Sequence, residues 1–90
     1  MNSYNNDEEY QNLFLKFFNL VEYDDEKIMS KIEKLYLQIK DIPVFQEQMR
    51  KGASGIMSDD LEMGLVVLFS YDHFANFYQL LENHQIKLSD

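Results

Sequence analysis

Two histidines and an aspartate fall inside one aromatic stretch, FSYDHFANFYQLLENH, residues 69–84. Asp72 beside His73 has the composition of a hydrolase's orienting acid and general base. The geometry is wrong for that work. Neighbouring residues on a helix point about 100° apart, so the carboxylate is badly placed to hold the imidazole. No serine sits in a G-x-S-x-G turn and the chain has no cysteine, so the pair has no nucleophile to activate. Neither His73 nor His84 has a second ligand three or four residues away, the spacing a helical zinc site uses. DDEK and SDDLE lack the alternating acids and central glycine of a calcium loop and read as helix starts. KGASG at 51–55 lacks the P-loop pattern, and no strand precedes it. The expectation is a protein that is not an enzyme, with no catalytic, cofactor-binding or metal-binding residue.

The bulk properties narrow the class further. Ninety residues make one domain. A chain of this size buries little more than about 60% of its unfolded surface, which leaves little room for a deep substrate cavity. The absence of cysteine removes a disulfide framework and a thiolate zinc site, and fits a reducing compartment. The acidic start MNSYNNDEEY is unlike a signal peptide. The longest apolar run, LVVLF at 65–69, falls far short of the roughly 18 residues of a membrane span. These features predict a soluble, cytoplasmic domain with no membrane partner. A net charge of −8 argues against direct nucleic-acid binding. The charge is also segregated. Residues 1–26 carry −6, residues 27–51 carry +3, and residues 52–90 carry −5. The segments either neutralise one another in the fold, or an acidic face meets a basic partner.

Three glycines and one proline are too few for an all-β chain, and the apolar period is helical almost throughout. The fold class is therefore all-α, a compact bundle of four to five short helices, with residues 1–6 and 87–90 flexible. The first helix is expected over roughly 7–22, on a stripe of Tyr10, Phe14, Phe17 and Val21. Asp24 or Asp25 caps a second over roughly 25–40, built on Ile28, Ile32, Leu35, Ile39 and Ile42. Lys27, Lys31 and Lys34 share its flank, where they are either solvated or paired with acids of another helix or another molecule. Pro43 opens a third helix, about 43–51, which buries Val44, Phe45 and Met49 and ends at Gly52, leaving KGASG as a flexible link. Ser58 offers a cap for a fourth, roughly 59–69. Met57 and Met63 flank its acidic start and suit an adaptable groove. Ser70 or Asp72 begins a fifth helix that ends near Asn83, unless the fourth runs on with a bend. Ile86 and Leu88 suit a tail folded back onto the core.

The aromatic stretch then reads as a helix apolar on two sides. Tyr71, Phe74, Phe77, Tyr78 and Leu81 make one side, and Phe69, His73 and Leu80 lie nearly opposite. Most of the stretch is expected to be core. Because a chain this short does not easily cover both faces of a helix, the alternative is that the second face, with the fourth helix, forms a groove or patch for a partner helix or a second copy.

Four segments in order, DEEYQNL at 7–13, EYDDEK at 22–27, IPVF at 42–45 and FANFYQLL at 74–81, make the chain resemble the BART domain, the all-α module that binds Arf-like small GTPases. The resemblance covers most of the chain. It implies a binding module that grips an amphipathic GTPase segment in an apolar groove formed by Phe45, Phe74, Phe77 and Leu81. The leading expectation is thus a non-catalytic adaptor with a groove near the two C-terminal helices, contacted through Phe45, Phe69, His73, Phe74, Phe77, Leu80 and Leu81. One alternative is an acidic inhibitor, antitoxin-like or mimicking nucleic acid, that regulates a basic partner. Another is a small structural subunit or homodimer.

Overall fold

Ile28, Ile32, Leu35 and Ile39 recur at intervals of four, three and four, and all four are buried on one face of a helix. The computed structural model describes residues 3–88 and contains five helices and no strand among them. They are α1 (Ser3–Phe18), α2 (Asp25–Ile39), α3 (Pro43–Gly55), α4 (Leu61–Leu68) and α5 (Tyr71–Asn83). The domain is an all-α bundle of short helices, as the periodicity predicts.

The ends of the helices depart most from expectation. α1 begins at Ser3, inside the segment expected to be flexible; residues 1 and 2 lie outside the described residues. It stops at Phe18 rather than near 22. Asn19 enters the left-handed region, with φ 57°. The Leu20 N–H then donates back to the Leu15 carbonyl at 2.9 Å and the Asn19 N–H to that of Lys16 at 3.1 Å. This is a Schellman closure, with asparagine in place of the usual glycine. Val21, placed by the wheel on the buried stripe, is consequently 97% exposed.

α2 starts where the sequence puts it. The Asp24 carboxylate accepts from the Lys27 N–H at 3.2 Å. α3 begins at Pro43, but it does not end at Gly52. KGASG is helical to Gly55, which corrects the flexible link. The reason is contact rather than propensity. Gly52 packs against Gly64 of α4, and a Cβ on Gly52 would lie 2.5 Å from the Gly64 carbonyl oxygen. A Cβ on Gly64 would run into the Met49 carbonyl oxygen. Glycine here serves backbone approach, not mobility. α3 closes with a second Schellman turn, Met57 at φ 56° and Ser58 N–H to Ala53 O at 2.9 Å.

Asp60, not Ser58, caps α4. Its carboxylate accepts from the N–H groups of Glu62 at 2.9 Å and Met63 at 3.5 Å. Ser58 acts one step earlier, its Oγ accepting from the Asp60 N–H at 3.0 Å. α4 and α5 are separate helices. Ser70 is extended, with ψ 159°, and turns the chain without a side-chain cap bond. α5 closes on Gln85, at φ 57°, with the Ile86 N–H donating to Leu81 O at 2.9 Å. Ile86 and Leu88 then pack against the core, and Gln38 Nε2 donates to the Lys87 carbonyl at 3.3 Å. Ser89 and Asp90, also expected to be flexible, lie outside the described residues.

The interior is a chain of rings. Phe14 meets Phe18 at 4.6 Å between centroids, Phe18 meets Phe69 at 5.0 Å, Phe69 meets Phe77 at 5.4 Å, and Phe77 meets Phe45 at 6.1 Å. These contacts join α1, the α4–α5 corner, α5 and α3. Each such pair is worth about 0.5–1.5 kcal/mol beyond its buried area. Among the described residues no polar or charged side chain is buried.

Candidate functional site

The residues expected to form the groove divide sharply. Phe45, Phe69, Phe74, Phe77 and Leu81 are all within the core, none more than 4% exposed. Phe69 is the instructive one. Continuing the α5 wheel backwards sets it on the outer face with His73 and Leu80. Ser70 interrupts the helix between them, so the rotation does not carry across. Phe69 belongs to the end of α4 and turns inward against Phe14, Phe17, Phe18, Phe74 and Phe77. That corrects the exposed apolar strip. What remains on that side is an exposed His73 and a half-buried Leu80. The Tyr71 side chain lies outside the described residues.

The polar candidates are structural or solvated. Asp72 and His73 are both exposed, and no hydrogen bond joins them among the described residues. His84 sits with its ring 5.2 Å from that of Phe45 and its Nδ1 3.0 Å from the Leu80 carbonyl oxygen, at the end of α5. Sequence reasoning placed Tyr10 on the buried stripe but missed its polar role. Its hydroxyl donates to the Phe69 carbonyl at 2.7 Å, tying α1 to the α4–α5 corner. Burial, and secondarily the nearby Tyr23, raise the Tyr10 pKa above its ordinary value of 10.0.

Two surfaces combine exposed apolar side chains with an open cleft. The first is the α3–α4 turn. Met57 is 96% exposed there, Ile56 47% and Met63 44%. Met57 lines an open cleft of about 680 Å³ with Arg50, Ala53, Ser54, Asp59 and Leu61. Arg50 is the chain's one arginine, and it makes no ion pair among the described residues. The methionine pair was legible from the sequence. The cleft was not, because it exists only once α3 extends to Gly55 and meets α4 at the glycines.

The second surface is the corner between α1 and α2. Two adjoining clefts of about 510 and 280 Å³ share Asn19, Leu20 and Lys27. The exposed Val21 borders one, and Lys31 and Lys34 border the other. Lys31 Nζ donates to the Phe18 carbonyl at 2.8 Å, satisfying a helix-end acceptor. Lys27 and Lys34 make no ion pair among the described residues. Lys40 pairs locally with Asp41 at 3.2 Å and Lys51 with Glu47 at 3.7 Å.

No helix among the described residues is long and apolar enough to cross a membrane. No family, no curated protein and no solved structure matches the chain.

Proposed function

We propose that this domain is a non-catalytic protein-binding module whose main contact surface is the α3–α4 turn. The observation that carries the reading is Met57. A large apolar side chain stands almost wholly in solvent, on a backbone position that glycine would fill with less strain. The fold gains nothing from that choice. Local strain that folding does not need points to use by another molecule. Methionine is also the side chain best able to adapt to different apolar pockets. Ile56 and Met63 enlarge the apolar area, and Arg50 adds a charge able to hold a carboxylate beside it.

The occupant is a segment of another protein that presents an apolar side chain with an acid nearby. The BART resemblance supplies one such partner class, an amphipathic segment of a small GTPase. The contact surface differs from the groove which that resemblance implies, because Phe45, Phe74, Phe77 and Leu81 are interior.

The test is affinity capture from cell extract with wild-type bait and Met57→Asp bait, each at 0.5 M salt. Apolar contacts survive that salt while exposed charge pairs are screened. Proteins held by wild type and lost with Met57→Asp support the reading. Identical captures by the two baits, both verified as folded, overturn it.

A further inference from the structure

We infer that Met57 is a reversible oxidation site, and that its sulfoxide switches off the α3–α4 surface while leaving the fold intact. The consequence for binding rests on that surface being the contact with another protein; the chemistry does not. The chain has no cysteine, so a peroxide meets its sulfur only as methionine. Oxidation follows access to that sulfur, and the fold ranks the described methionines steeply. Met57 is almost wholly exposed, Met63 and Met29 are less than half exposed, and Met49 is sealed in the core. In the forward step the Sδ lone pair attacks one oxygen of hydrogen peroxide and the O–O bond breaks. The attacked oxygen stays on sulfur as the sulfoxide, and the other leaves as water with both protons. The sulfur gives up two electrons and the peroxide takes them. In the reverse step two thiols of a sulfoxide reductase return two electrons, forming a disulfide and water and restoring the thioether.

Two features make this a switch rather than damage. Oxidising a buried methionine disrupts the packing around it. Met57 stands outside the core and outside the side chains packed against it. Its turn is closed by backbone bonds alone, the Met57 N–H to Ser54 O at 3.0 Å and the Ser58 N–H to Ala53 O at 2.9 Å. The thioether takes no part in that closure, so the fold tolerates the added oxygen. The second feature is Arg50, which lines the same cleft as Met57 and makes no ion pair among the described residues. A thioether sulfur is a weak acceptor, whereas the sulfoxide oxygen is a strong one beside a guanidinium with five N–H donors. Asp59, the acid of the cleft lining, only accepts and does not compete for that oxygen. Oxidation therefore acts twice on the surface. It makes the apolar contact costly to bury, and it sets an acceptor against the partner's carboxylate for Arg50.

The experiment treats the folded domain with hydrogen peroxide and maps sulfoxide by mass spectrometry of its peptides over time. Met57 is expected to oxidise about twofold faster than Met63 and Met29, and at least about tenfold faster than Met49. The thermal midpoint should not move. Treated wild-type bait should lose the partners that Met57→Asp bait loses, and regain them after incubation with sulfoxide reductases of both epimer specificities and a dithiol. Met57→Leu bait, apolar and without sulfur, should keep those partners through the same peroxide treatment. Oxidation of Met57 no faster than of Met63 and Met29 overturns the site. A lowered midpoint, or loss of partners by treated Met57→Leu, overturns the switch by assigning the effect to unfolding or to another methionine. Partners that Met57→Asp loses but oxidised wild type keeps overturn this inference alone. Identical captures by untreated wild type and Met57→Asp overturn the contact reading, and the switch with it, while the order of oxidation still stands as measured.

Discussion

Gly52 and Gly64 meet backbone to backbone where α3 crosses α4, with room for a Cβ on neither. A methyl group at Gly64 collides with the Met49 carbonyl and the Ala53 amide nitrogen, which belong to a helix and cannot rotate aside. Gly64→Ala is expected to destabilise the domain by about 3 kcal/mol, with Gly52→Ala somewhat less severe. Gly55 is the contrast, with helical backbone and nothing within 4 Å of a built Cβ. Gly55→Ala is expected to stabilise by about 0.5 kcal/mol. Urea unfolding of the three variants checks the order, and an unchanged midpoint for Gly64→Ala would contradict the crossing.

Tyr10 makes stability depend on alkaline pH. Its folded pKa lies above the ordinary 10.0, so the folded state holds the proton more tightly than the unfolded chain. The stabilisation is complete below pH 10 and is lost as pH rises through the folded value. Tyr23, raised by burial, acts in the same direction. Tyr10→Phe is expected to cost about 1 kcal/mol at neutral pH, because the Phe69 carbonyl loses its donor, and to flatten the decline above pH 10. Thermal melts from pH 8 to pH 11 measure both effects. A wild-type decline that persists in full in Tyr10→Phe assigns it elsewhere.

Met57→Gly separates stability from use. Relieving a non-glycine residue in the left-handed region is expected to stabilise the domain by about 1 kcal/mol. The same change removes the exposed side chain that the proposed function depends on. A melt that rises while partner capture falls is the expected pair of results.

Phe77 and His73 lie four residues apart on α5, but they should respond in opposite ways. Phe77→Ala removes a ring packed between Phe45 and Phe69 and is expected to cost about 3–5 kcal/mol. His73→Ala is expected to fall within about 0.5 kcal/mol of wild type. Chemical denaturation distinguishes them, and a mild Phe77→Ala would return that residue to the surface.

The sequence spoke clearly where structure is set by nearest neighbours along a helix. The isoleucine period of α2, the Pro43 start of α3 and the Asn83 end of α5 could all be read from it. It was silent where two distant segments decide together. Gly52 looks like a terminator until Gly64 is set against it. Asn19 and Met57 do not announce left-handed helix ends as glycine would, so the sequence pattern runs α1 four residues too far and stops α3 four too soon. A single helical period carried through Ser70 puts Phe69 on the surface, and the break at Ser70 turns it inward. Of the candidate surfaces, Met57, Met63 and the lysine row were visible as residue types. Whether the lysines would find partners inside the fold depended on tertiary placement.

The glycine crossing also bears on how the chain reaches its fold. α3 and α4 form the most extensive helix pair and are joined by only five residues, 56–60. Closing so short a loop takes on the order of 10–100 ns, and its entropic cost is small. The hairpin is therefore expected to form before the ring chain that draws α1 and α5 together. Alanine at Gly64 should then slow folding with little change in unfolding, whereas alanine at Phe14 should mainly speed unfolding. Stopped-flow chevrons of the two variants would show whether the kinetic nucleus sits at the two residues with no side chains.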